Sequence, residues 1–226
     1  MVGHMIRFTR TTFIPLVATA LVLGGCSEAQ SNADSSATST LQAVDTVTVT
    51  DNEGEKEVPL NPERVAAPDG RAAELLESWG VETVAPNAGP DVIFADGDIA
   101  SGNIVLNFAP RDDEPFDREL IRQALEMGDI FGKQDEAEQI VGEFTQAVMR
   151  ARETYNPAQT VEISSDELAQ LADVIGFTPA DGTPDWLLTV HPQDSDADHV
   201  YVAPEGAGWS IVTYTEILND LSDQMQ

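Results

Sequence analysis

The sequence predicts an α/β protein made of two small α/β lobes joined by one long helix, with a β-hairpin in front of them. Two observations indicate the lobes: residues 64–80 read as a strand, a helix and a glycine, and a similar order returns after residue 160. The third observation is a helical repeat of apolar residues from Gln134 to Tyr155. At 1.5 Å per residue, its roughly 22 residues reach about 33 Å, the width of a small domain.

The first 43 residues precede the predicted fold. Two arginines within the first ten residues are followed by an apolar run over residues 13–23, which is too short to span a membrane. The run leads into "LGGC", which resembles the bacterial lipobox and ends on the only cysteine, Cys26. We therefore expect a lipoprotein signal peptide over residues 1–25, acylation of Cys26, and a flexible tether over residues 26–43. An accidental cysteine beside an ordinary secretory cleavage site is the alternative.

The charge balance narrows the choice of partners. The chain has 226 residues, with 11 Lys and Arg against 40 Asp and Glu. Two of the basic residues belong to the predicted leader, which leaves nine for the remainder. A surface of this sign repels nucleic acid, so we expect no nucleic-acid partner.

The N-terminal lobe is expected over residues 44–133. Its predicted elements are a hairpin over 44–60, a strand over 64–67, a helix over 71–79, strands over 82–85, 91–95 and 104–108, and a helix over 117–131. Only Pro86–Pro90 separates the strands predicted over 82–85 and 91–95. Parallel neighbours need a crossover of about a dozen residues, so the two runs either pair as an antiparallel hairpin or are not adjacent in the sheet.

The joining helix is expected over residues 134–156 and the C-terminal lobe over 157–226. The elements predicted in this lobe are a strand over 160–163, a helix capped by Ser164 or Ser165 and running to about Ala172, a strand over 173–177 that echoes residues 91–95, a strand near His199, and a final helix over 212–225.

Six segments in this order resemble the substrate-binding lipoproteins of iron–siderophore, haem and cobalamin importers. They are "VTVTDNEGEKEVPLNPERVAA", "AAELLESWGVETVAP", "PDVIFADG", "FGKQDEAEQIVGEF", "VEISSDELAQLADVIGF" and "HVYVAPEGAGW". The resemblance implies two lobes on one rigid helix with a ligand cleft between them. It also implies that both lobes are abbreviated, since segments that the family has after residue 85 and after residue 155 have no counterpart here.

This resemblance implies a membrane-anchored, extracytoplasmic substrate-binding protein of an ABC importer, with an iron chelate (a siderophore, haem or a corrinoid) as ligand. The alternative is a degenerate scaffold that serves as a non-transporting accessory lipoprotein of a membrane complex. Family members dock on their permease through one acidic side chain per lobe. Asp166 matches the C-terminal position, and Glu74 is a substitute for the missing N-terminal one.

The cleft of such a fold lies at the carboxyl ends of the strands. The side chains expected there are Asp69, Arg71, Asp96, Arg111, Phe116, Trp186 and Trp209. Arg71 is the strongest candidate, because basic residues are scarce in this chain, although an arginine at a helix start is often a plain surface charge. Trp209 has an alternative role in packing over the last helix.

No catalytic or metal-binding pattern stands out. The acidic segment from His191 to His199 lacks the glycine that a calcium-binding EF-hand loop requires, so a solvated turn is the better interpretation. We expect neither an enzyme nor a resident cofactor or metal. The strong negative charge also disfavours highly anionic chelates, such as tris-catecholates, unless local arginines offset the field.

Overall fold

The computed structural model of the protein describes residues 45–97, 102–204, 206 and 208–226. The predicted leader, the predicted lipidation site Cys26 and the predicted tether lie outside these residues. Within the described ranges, no helix is both long enough and apolar enough to cross a membrane.

The predicted α/β class is confirmed, with helices packed on parallel sheets. The elements of the N-terminal half are β1 (Thr46–Asp51), β2 (Gly54–Pro59), β3 (Val65–Ala66), α1 (Gly70–Ser78), β4 (Val92–Phe94), β5 (Ile104–Leu106) and α2 (Phe116–Phe131). Those that follow are α3 (Gln134–Thr154), β6 (Thr160–Ile163), α4 (Asp166–Ile175), β7 (Thr178–Pro179), β8 (Trp186–Thr189), β9 (His199–Val202) and α5 (Ile211–Gln224).

Strands β1 and β2 form the predicted antiparallel hairpin, with Thr46 opposite Pro59 and Asp51 opposite Gly54. The alternation of apolar and polar residues explains it. Val49 and Val58 are buried against the core, while the threonines between the valines face solvent. The hairpin therefore covers the N-terminal half rather than joining its parallel sheet.

The second sheet has the order β3-β4-β5, and all its pairs are parallel. Thr83 forms a parallel bridge with Val65 on the side of β3 away from β4. The runs at 82–85 and 91–95 therefore lie on opposite sides of β3, and the non-adjacent arrangement is the correct alternative. The expected strand over 82–85 is wrong, since it is reduced to this one bridge. Five residues suffice for the link because two strand spacings amount to only about 10 Å.

Helix α3 is the predicted long helix, and it is unbroken. It packs against α2 of the N-terminal half and α5 of the C-terminal half, burying Phe144 and Val148. The approach of α2 is close: a Cβ added at Gly128 would lie 2.7 Å from the Ala137 Cβ atom. Only glycine fits at residue 128 without a shift of the neighbouring atoms, so this residue permits the close approach of α2 to α3.

The third sheet has the order β7-β6-β8-β9 and is parallel throughout. The strand expected over 173–177 is wrong, because residues 173–175 form the last turn of α4. That helix begins at the Ser165 cap, whose side chain accepts from the Leu168 amide at 3.2 Å, and ends at Gly176 with φ of +86°.

The described residues from 45 onward form one compact unit, and most of its buried apolar side chains belong to a single cluster that includes α3. The two parallel sheets nevertheless share no strand. The lobe boundaries at residues 133 and 157 stay a prediction, whereas the separation into two sheets is observed.

A buried carboxylate fixes the loop between β5 and α2. Glu119 is 2% exposed and forms ion pairs with Arg111 at 2.7 Å and with Arg122 at 2.8 Å. Arg122 also donates to the Asn52 side chain at 2.9 Å, which ties the loop to the hairpin. Burial alone would raise the pKa of Glu119, but the hydrogen bonds from both arginines outweigh it and lower the pKa to about 2.

We predict that Glu119→Gln destabilises the fold by on the order of 3 kcal/mol at pH 7, because a carboxylate that titrates near 2 when folded and near 4.5 when unfolded favours the folded state. This contribution is complete above about pH 5 and is lost as the pH falls towards 2. Urea unfolding of both proteins at pH 7 and pH 3 measures the difference. Asp129→Asn, an exposed change on the same helix, is the control. An equal difference at both pH values would contradict the prediction.

Candidate functional site

A cleft of about 780 Å³ opens between the two halves. One wall is the segment from Ala109 to Arg118, which follows β5 and enters α2, together with Arg71 at the start of α1. The other wall is the exposed face of α4 with Tyr214 of α5, and Arg152 near the end of α3 completes it. Most of these side chains follow the carboxyl ends of β3, β5 and β6, as the fold class predicts.

Four arginines line the cleft, out of the nine basic residues that follow the predicted leader. Two of them form ion pairs with carboxylates that are not in the lining: Arg71 pairs with Asp96 at 2.8 Å, and Arg111 pairs with Glu119. Arg118 and Arg152 form no ion pair with any described residue. Arg152 is held by its Nε, which donates to the Val174 carbonyl at 2.6 Å. These two guanidinium groups can therefore bind an anion.

The lining also carries six carboxylates. They are Asp112, Glu114, Asp117, Asp166, Glu167 and Asp173. The local charge is therefore mixed, and the arginines only partly offset the acidic field of the chain.

An aromatic contact bridges the two walls. The rings of Phe116 and Tyr214 form a T-shaped contact with centroids 5.0 Å apart, and the Trp209 ring packs on Tyr214 with centroids 5.8 Å apart. The Tyr214 hydroxyl donates to the Glu167 carbonyl at 2.8 Å. Burial raises the pKa of this hydroxyl, so it stays protonated at neutral pH. These contacts fix the apolar part of the cleft.

The structure brings together four of the predicted site residues: Arg71, Arg111, Phe116 and Asp166 all line the cleft. Asp69 and Asp96 are not in the lining, and both contact Arg71. Asp69 caps α1 by accepting from the Arg71 amide at 3.1 Å, while burial and the neighbouring Asp96 charge raise its pKa.

The two predicted tryptophans lie outside the lining. Trp186 is the first residue of β8, at the amino end of the sheet, where it is 3% exposed and stacked on His199 at 4.5 Å. It does not line the cleft described above, because the first residue of a parallel strand lies at the edge of the sheet opposite the carboxyl ends. Ligand contact through Trp186 stays a prediction. Trp209 packs on Tyr214, which does line the cleft, and both of its predicted roles stay predictions.

The two candidates for docking on a permease differ in accessibility. Asp166 lies exposed in the first turn of α4. The Glu74 carboxylate is half-buried and engaged with the start of α5. Docking through either residue stays a prediction.

Sequence reasoning missed Arg118, Arg152 and Tyr214. The scarcity of basic residues could have indicated the two arginines, because it applies to all nine basic residues after the predicted leader and not to Arg71 alone. The position of Arg152 in the last turn of α3 was a second signal, because that turn faces the start of the C-terminal half. No group of three or more metal-ligating side chains occurs in the part of the chain described by the structure.

No protein-family profile matches this chain, and no curated protein matches it either. Solved structures with a similar fold do exist. The petrobactin-binding protein YclQ from Bacillus subtilis superposes with a TM-score of 0.63 at 15% identity, over 80% of this chain and 99% of that one.

Two further structures are informative. The siderophore-binding protein BauB, bound to two acinetobactin molecules and ferric iron, gives a TM-score of 0.64 at 15% identity, over 80% of this chain and 99% of its own. An ABC-type Fe3+-hydroxamate transport system protein from Saccharomonospora viridis gives 0.52 at 14% identity, over 77% and 98%. Identities this low establish the fold alone. The chain therefore has the two-lobed fold of these siderophore-binding proteins, as the resemblance in its sequence predicted.

Proposed function

We propose that this protein is the substrate-binding component of an ABC importer and that it holds a ferric chelate in the cleft. The observation that carries the proposal is the cleft itself: about 780 Å³, at the carboxyl ends of the strands, with four arginines in its lining. Small-molecule sites typically measure some 300–1,000 Å³. A filled junction between the halves would have supported the accessory-lipoprotein alternative instead.

The charges of the lining narrow the ligand class. Arg118 and Arg152 offer two guanidinium groups that form no ion pair with any described residue, and such groups suit carboxylate or other anionic oxygens of a chelate. The six carboxylates nearby oppose a highly charged ligand such as a tris-catecholate. A weakly anionic carboxylate-type chelate therefore fits this cleft best, and the Phe116–Tyr214 pair supplies an apolar surface for its carbon frame.

We predict that ferric citrate quenches tryptophan emission, because Trp209 packs on the cleft residue Tyr214. Arg118→Gln and Arg152→Gln should each weaken binding of ferric citrate about tenfold, or about 1.4 kcal/mol. Binding of the cationic chelate ferrioxamine B, if measurable, should not weaken. Arg150→Gln is the matched control, since Arg150 lies on the same helix, is exposed and is not in the lining. Unchanged emission and melting temperature with ferric citrate, ferrioxamine B, haem and cobalamin at micromolar levels would refute the receptor function.

We also propose that Cys26 anchors the protein on the extracytoplasmic face of the cell membrane. The support is the "LGGC" sequence after an apolar run and the Ser-rich tether that follows it. A receptor held in this way stays close to its permease, which raises their effective concentration.

The anchor predicts that radiolabelled palmitate is incorporated into the protein in bacterial cells and that the protein sediments with membranes. Cys26→Ser should abolish the label and release the protein from the membrane fraction, because no second cysteine exists to be acylated. Ser27→Ala is the control. Retention of the Cys26→Ser protein in washed membranes would contradict the lipid anchor.

A further inference from the structure

The starts of α1 and α5 meet at a joint between the two halves. Gly70, the first residue of α1, lies against Gly208, which precedes α5. A Cβ added at Gly208 would lie 2.6 Å from the Gly70 carbonyl oxygen and 2.6 Å from the Glu74 Cβ atom. The two backbones therefore touch, and no larger residue fits at position 208 without moving one half from the other.

One carboxylate holds this joint together. Glu74 Oε1 accepts from the Gly208 amide at 3.3 Å, and Oε2 accepts from the Ser210 amide at 2.9 Å. The Thr213 hydroxyl also donates to Oε1. Ser210 caps α5 in the ordinary way by accepting from the Val212 amide at 3.1 Å, so Glu74 is a second acceptor at the same helix end.

The electrostatics favour the charged form of Glu74. The amino end of α5 carries the partial positive charge of a helix, which attracts a carboxylate. Burial alone would raise the pKa of Glu74, but the hydrogen bonds from Ser210, Thr213 and Gly208 outweigh it and hold the pKa below its ordinary value. Glu74 is therefore ionised at neutral pH.

Residues adjacent to the joint line the cleft. Arg71 precedes Glu74 by three residues, about one turn on the same side of α1, and Tyr214 follows Thr213. Both Arg71 and Tyr214 line the cleft, on opposite walls. A shift of α5 on α1 would change the separation of these two side chains.

We propose that Glu74 is a positioning residue that locks α5 onto α1 and thereby sets the distance between the two walls of the cleft. This role leaves the Glu74 carboxylate engaged inside the protein rather than free for a permease. The effect on binding rests on the proposed function, whereas the lock itself does not.

Hydrogen exchange tests the lock in the full-length protein. Glu74→Gln removes the charge and one acceptor oxygen with little change in size, and we expect the amides of residues 208 and 210–214 to exchange at least tenfold faster. The amides of α4 should exchange at an unchanged rate, which separates a loosened joint from general destabilisation. Glu77→Gln is the matched control on the same helix, since Glu77 is exposed and has no side-chain partner in the described ranges.

Thr213→Val provides a second test if Glu74→Gln does not fold, because it removes one of the three donors and keeps the carboxylate. It should raise exchange at the same amides by a smaller factor. Equal protection of these amides in wild type and in every folded variant at Glu74 or Thr213 would overturn the lock.

Titration with ferric citrate separates this proposal from the proposed function. If the wild type binds ferric citrate, Glu74→Gln should weaken binding several-fold, and Glu77→Gln should not. Weaker binding with no change in exchange would also overturn the lock. If the wild type binds no chelate but Glu74→Gln still accelerates exchange, the receptor function fails and the lock stands.

Discussion

The packing of α3 against α2 on one side and α5 on the other is the contact on which the rest of the structure depends. Helix α2 sits on α3 through Gly128 and Ala137, and α5 covers the side of α3 towards the C-terminal half. The burial of Phe144 and its neighbours stabilises this arrangement by removing apolar surface from water. Because α3 is one uninterrupted helix, each half is placed relative to the other before any ligand is present.

The second constraint is charge. In a chain with 40 acidic residues, the overall field attracts cations without specifying where they lie, so specific contacts set their positions. Glu119 and Asp96 hold Arg111 and Arg71 at the cleft, and a helix-end carbonyl holds Arg152. The partner groups of these arginines already belong to the folded structure. The contacts therefore hold the positive charges at the junction of the two halves.

Local signals sufficed for part of the fold. The apolar repeat of α3, the valine alternation of the hairpin and a serine cap at 164 or 165 each act within a few residues, so the sequence alone predicts them. The structure assigns the cap to Ser165. Residues 173–175 misled because a short apolar run suits both a buried strand and a helix end. The φ of +86° at Gly176, which ends the helix, is a structural fact that composition does not reveal.

The site was less predictable because it is assembled from distant segments. Arg118 and Arg152 are 34 residues apart and line the same cleft only after α2, α3 and α4 have packed. Trp186 shows a second difficulty: an aromatic residue in a strand suits a cleft or a core, and its place at the amino end of β8 is known only from the structure. The Glu74 joint depends on a contact across more than 130 residues, which no local pattern indicates.

The central claim is that α3 and the contacts around it hold the cleft open in one fixed form. Spin labels at Asp113→Cys and Ala169→Cys, both exposed and on opposite walls, test it in a chain that carries Cys26→Ser. Double electron–electron resonance should give one narrow distance distribution that is the same with and without ferric citrate. A broad distribution, or a peak that shifts by more than about 2 Å on adding the chelate, would contradict the account.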